Sequence, residues 1–215
     1  ISLFIPYTML TIIFDYPDIL RQDTAIILTK FHKGGSTLIG TWFAFAISGI
    51  PLLPAYILLG HKLENKSLLV RVATNIGVIG LVLQLAGLLR WTFVVPVLAE
   101  SFVNSTDESA KAAVVFAFKT IHQFGGVLLG EHLGQLFTIA WTVMMSLTFT
   151  KLRMVPTWVN WFAYISSLIY LLAQAELFAT VIPDFPVWDM AGFIGSTLWL
   201  IWLIIIGVRF LKNKI

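Results

Sequence analysis

Apolar residues fall into six long runs separated by short polar segments. The runs cover residues 1–14, 36–60, 68–98, 121–150, 158–182 and 187–210. A helical span needs about 20 mainly apolar residues, so five of the six are long enough to cross a bilayer. The first is too short: either the beginning of that span lies before Ile1 or the helix enters at an angle, with a cleaved signal peptide as the alternative. The pattern predicts an all-α, polytopic membrane protein, one helical domain over residues 1–215 with about six spans.

Two polar segments are longer than simple turns. Asp15 to Gly35 contains an amphipathic stretch through Ile19-Leu20, Ala25 to Leu28 and Phe31. Asn104 to Thr120 begins with Ser105-Thr106-Asp107-Glu108, a helix-start signal, and continues into Ala-rich helix former. Both are expected to be short helices on the outer surface. Pro51, Pro54 and Pro96 predict breaks or kinks in spans two and three.

Composition supports the membrane reading. The 215 residues are 58% hydrophobic and 12% charged, against about 25% charged in an ordinary soluble domain. That balance excludes a soluble enzyme, a disordered chain and a nucleic-acid binder. Charge distribution then predicts orientation. Lys62, Lys66, Arg71, Lys151, Arg153, Arg209, Lys212 and Lys214 oppose only Glu64, a net +7 on one side. The other side carries five basic against eight acidic residues, a net −3. By the positive-inside rule both termini are expected in the cytoplasm, with the basic loops on anionic lipid. The eight Trp residues mostly fall near span ends, where they are expected to anchor the helices at the interface.

Polar residues inside the runs are the candidate chemistry. Span four carries His122, Gln123, Gly126, Gly130, Glu131, His132, Gly134 and Gln135. At α-helical spacing Gly126, Gly130 and Gly134 form a small-residue ridge suited to close helix packing. Glu131 and His132 lie near mid-span, where an ionised group costs about 2.5–3.5 kcal/mol on insertion scales and needs a partner. Arg90 in span three, Glu176 in span five and Asp189 at the start of span six lie between the membrane centre and the outer surface. An Arg90–Glu131 or Arg90–Glu176 pair is the expected way to remove isolated charge. The set Arg90, Glu131, Glu176, His122, His132, Gln123, Gln135 and Asp189 thus predicts a polar pocket open to the outside.

Competing chemistry is weaker. No HExxH or HxxxH spacing supports a metal site. A haem would have His32 and His122 as its plausible ligands. Neither a nucleophile elbow nor an intramembrane Asp pair is present. The leading expectation is a non-enzymatic protein that binds a small ligand or lipid, or moves a proton or solute. The alternative is an accessory subunit whose glycine ridge and outer segments meet neighbouring membrane proteins. A haem- or metal-binding protein or enzyme comes third.

Leu88-Leu89-Arg90-Trp91 followed by Pro96-Val97-Leu98-Ala99, and His122-Gln123-Phe124 through Gly130-Glu131-His132-Leu133-Gly134, resemble the pattern of a known group. It is an uncharacterised family of bacterial six-span membrane proteins classed only as a domain of unknown function. The resemblance covers most of the chain, implies a bacterial inner-membrane location and supplies no activity. The short first span departs from the full-length pattern.

Overall fold

The computed structural model describes residues 3–212 and is built of helices, with no strand among those residues. Residues 1 and 2 of the expected first span, and Lys214 of the basic set, lie outside the described residues. The helices are α1 (Phe4–Phe14), α2 (Thr24–Ile47), α3 (Leu52–Leu63), α4 (Leu68–Phe93), α5 (Val95–Asn104) and α6 (Glu108–Ile121). A π-helix over His122–Leu133 follows, then α7 (Gly134–Lys151), α8 (Thr157–Leu172), α9 (Gln174–Ala179) and α10 (Ala191–Lys212). Five helical stretches are long and apolar enough to cross a membrane, and α1 is a shorter apolar helix. Ile12, Leu68, Phe93, Phe116 and Leu211 are all exposed, a surface that suits lipid rather than water.

The punctuation follows the local chemistry. The chain leaves helical order around Ser48–Pro51 between α2 and α3, where the prolines predicted a break. Between α4 and α5 it breaks at Val94, just ahead of Pro96. Asp107 caps α6, accepting a hydrogen bond from the Ser109 backbone N–H at 2.9 Å. The amphipathic segment after Asp15 becomes the first half of α2, burying Ile27, Leu28 and Phe31. Gly35, with φ 52° and ψ −148°, is non-helical and divides α2 into two helical halves at a kink, so the amphipathic segment ends where the sequence placed its boundary; a residue with a Cβ resists that conformation.

Two compact units share the chain. The first comprises Ile1–Leu53 and Leu81–Glu131; the second comprises Pro54–Gly80 and His132–Ile215. Thus α4 and the π-helix each contribute residues to both.

In the first unit α2 packs against α1, α5 and α6. Its core is aromatic: Phe14 meets Phe31, Trp42 and Trp91 edge-on, and Trp42 stacks on Trp91 at 4.7 Å with 9° between planes. In the second unit α8 packs against α7 and α10. There Tyr56 stacks on Trp141 at 3.7 Å, and the Trp199 indole N–H donates to Thr142 Oγ1 at 2.9 Å. These contacts correct the interfacial reading of the tryptophans. Trp42, Trp91, Trp141, Trp199 and Trp202 are buried, while Trp158, Trp161 and Trp188 are exposed as anchors would be. Flat rings that bury large areas are as useful inside a bundle as at its rim.

Candidate functional site

Arg90 is the centre of the first unit's polar chemistry. It lies in the last turn of α4 and is only 7% exposed. Its Nη1 donates to the Gly87 carbonyl one turn earlier, and its Nη2 faces His122 Nδ1 at 3.3 Å. A guanidinium has only donors. His122 Nδ1 must therefore accept, so the imidazole is neutral and carries its proton on Nε2. The ring is also stacked on Phe118, with centroids 5.5 Å apart. The half-buried Glu131 is close enough to act electrostatically on the guanidinium, as is Tyr16. The buried Arg90 Nε has no hydrogen-bond partner. The guanidinium carbon lies 5.3 Å from the Trp91 ring centroid, within cation–π range.

Glycines make room for this group. A Cβ on Gly126 would meet Arg90 Nη2, Cζ and Nε, so a larger residue there would require the end of the Arg90 side chain to shift. A Cβ on Gly87 would lie 2.6 Å from Gly130 Cα, and one on Gly130 would lie 3.1 Å from Gly87 Cα. Here two backbones touch. The ridge therefore divides its work: Gly126 houses a cation and Gly130 lets two helices meet.

Span four is not uniformly α-helical. His122–Leu133 forms i→i+5 bonds, so the α-helical wheel drawn from the sequence does not apply there. Gly125, Gly126 and Gly130 have low helix propensity, which weakens the hold of α geometry on this stretch. Such windings are rare and concentrate at functional sites.

A second polar chain lies in the second unit. His132 Nδ1 is 2.6 Å from Gln174 Oε1, and Gln174 Nε2 donates to Gln135 Oε1, also at 2.6 Å. An amide oxygen only accepts, so His132 carries its proton on Nδ1. Nδ1 thus accepts at His122 and donates at His132. His132 also meets the Phe178 ring edge-on at 5.8 Å.

The predicted residues thus separate into groups. Arg90, His122 and Glu131 belong to the first unit; His132 and Gln135 belong to the second. Gln123 is half-buried in the π-helix, Glu176 is half-buried in α9, and Asp189 is exposed ahead of α10. His32 is exposed, whereas His122 is held by Arg90 and Phe118. Among the described residues no three His, Asp or Glu side chains form a metal-ligand group. Two contributors were not singled out from the sequence. Gln174 is the link that makes His132 and Gln135 a chain. Gly77, Gly80 and Gly87 form the opposing small-residue face of α4, within about 80° of one another at 100° per residue; their spacing was the available signal.

Neither a curated protein nor a solved structure matches the chain. A family model described as Domain of unknown function (DUF4386) matches residues 1–207. That match takes in every helix up to the last turns of α10, including Arg90, the π-helix and the His132–Gln174–Gln135 chain, and the chain belongs to this family.

Proposed function

We propose that this protein resides in a bacterial inner membrane with both termini cytoplasmic. There it binds a small ligand or lipid, or moves a proton or solute, through a polar site centred on Arg90, His122 and Glu131. One observation carries the reading. Arg90 is a buried cation with one donor unbonded, set against a neutral imidazole and a glycine that leaves it space. Intramembrane ionisable groups are costly and commonly mark ligand or proton paths. His122 could accept or release a proton there. The accessory-subunit reading loses support because Gly126 and Gly130 are engaged within the chain.

Proteoliposomes loaded with a pH-sensitive dye, together with native mass spectrometry, test the site. Wild-type protein should show either proton flux or a retained small molecule, and Arg90→Gln should reduce it at least tenfold. Equal behaviour of wild type and Arg90→Gln in both measurements would make Arg90 structural only. Orientation is tested by single cysteines in place of Lys66 and Lys111, which should label from opposite sides with an impermeant reagent.

A further inference from the structure

Two grooves on the protein share one spacing. One, of about 380 Å³, is lined by Ile204, Ile205, Val208, Arg209 and Lys212 of α10. The other, of about 540 Å³, is lined by Ala25, Ile26, Thr29, Lys30 and Lys33 of α2. In each, positions i, i+1, i+4, i+5 and i+8 lie along one helix, with two cations at the C-terminal end. Their electrostatics differ. Lys30 is bonded to the Asp15 carboxylate. Among the described residues no acid pairs with Arg209 or Lys212, and both lie where the helix leaves its apolar run.

Further positive charge stands beside the α10 groove. Phe149, two residues before Lys151, meets Phe210 edge-on at 5.5 Å. The α7–α8 turn with Lys151 and Arg153 is therefore adjacent to the end of α10, within the same unit.

We infer that the α10 groove is a binding site for one anionic phospholipid, with Arg209 and Lys212 holding the headgroup phosphate. Ile204, Ile205 and Val208 take the first part of an acyl chain. A zwitterionic lipid brings its own cation and gains little from two unpaired positive groups. A lipid of net negative charge gains from both, and a guanidinium can donate two parallel hydrogen bonds to phosphate oxygens. Ile204 and Ile205 lie one to two turns deeper, at 1.5 Å per residue, where the acyl chain of a lipid held at this level would run. The α2 groove has the same residue spacing but one cation already neutralised, so it is the internal control. This site does not depend on the Arg90 reading.

The full chain in mild detergent, delipidated and then titrated with phosphatidylglycerol or phosphatidylcholine, provides the test by native mass spectrometry and thermal melting. Phosphatidylglycerol should bind preferentially and raise Tm. Arg209→Gln with Lys212→Gln should weaken that binding about thirtyfold, from roughly one kcal/mol per cation. The charge-keeping pair Arg209→Lys with Lys212→Arg should retain most of it, and Lys30→Gln with Lys33→Gln should leave it unchanged. Equal binding of the two lipids would overturn the inference, as would undiminished phosphatidylglycerol binding by the double Gln variant. Inorganic phosphate alone reproducing the Tm rise would replace the lipid with a free anion and also overturn it.

Discussion

His122 and His132 lie ten residues apart in the same span, yet their surroundings solve the problem of polarity in lipid differently. Around His122 the polarity is ionic: Arg90 donates to Gly87 and faces Nδ1, with Glu131 acting from nearby. Around His132 it is a relay of hydrogen bonds through Gln174 to Gln135. A chain of directly hydrogen-bonded side chains is inexpensive and rigid. A cation with an unbonded Nε is neither. That asymmetry is why the first cluster is the better functional candidate and the second the better structural one.

The sharpest way to break the comparison is to delete its ionic member. Arg90→Leu leaves Glu131 without its nearby cation and should cost about 3–5 kcal/mol, by analogy with other broken buried pairs. Replacing Glu131 by Leu as well should restore much of this in detergent denaturation. If Arg90→Leu alone is neutral, the cluster is not electrostatically coupled. Next in size is Gln174→Leu, which strands the His132 donor and the Gln135 acceptor at about 1–3 kcal/mol for a buried unsatisfied group. The same variant should release the His132 tautomer, read by ¹⁵N NMR, while His122 keeps its proton on Nε2. Identical tautomers at the two histidines in the wild type would remove the contrast.

A smaller effect separates the glycines. Gly87→Ala drives a methyl into the Gly130 backbone and should cost about 1–3 kcal/mol as overpacking. Gly207→Ala, where nothing lies within 4 Å, should be neutral or stabilise by up to about 1 kcal/mol through helix propensity. Equal melting temperatures would show that α4 and the π-helix do not touch at these glycines.

The smallest change concerns the start of α6. Hydrogen bonds from the Ser109 side chain and backbone hold the exposed Asp107 carboxyl below its ordinary value of 3.8. A depressed folded-state value means the cap contributes fully above that ordinary value and is lost as pH falls through the lower one. Amide exchange at Ser109 and Ala110 should therefore speed up, relative to the intrinsic rate, only below about pH 4. Asp107→Asn, which cannot titrate, should abolish that pH dependence.

Spans, breaks and caps were legible in the sequence because each has a local cause. Twenty apolar residues need lipid, Pro96 disrupts a helix, and Asp107 caps one. Arg90 was legible as a candidate because a cation inside an apolar run needs a partner. His122 in direct contact was not: it was expected among the pocket residues, and an acid was expected as the direct partner. The π-winding explains part of this, since it re-aims the residues between His122 and Leu133 away from the α-helical wheel. Gln174 was hidden for another reason. A neutral amide carries no cost that demands explanation until a structure shows it bonded to two side chains about 40 residues away in sequence. The buried tryptophans were misread as anchors because an amphipathic ring near a span end has the same sequence signature whether it faces the lipid or the core.

The parallel indoles of Trp42 and Trp91 have an optical consequence. Two chromophores this close share their excited states, so they should give a split, exciton-type circular dichroism signal that isolated tryptophans lack. One partner comes from α2, beyond the Gly35 turn, and the other adjoins Arg90. Loss of the couplet would report separation of these helices without any attached label. The exposed Trp158 and Trp161 would instead report the surrounding lipid through their emission, giving the protein two built-in colours of readout.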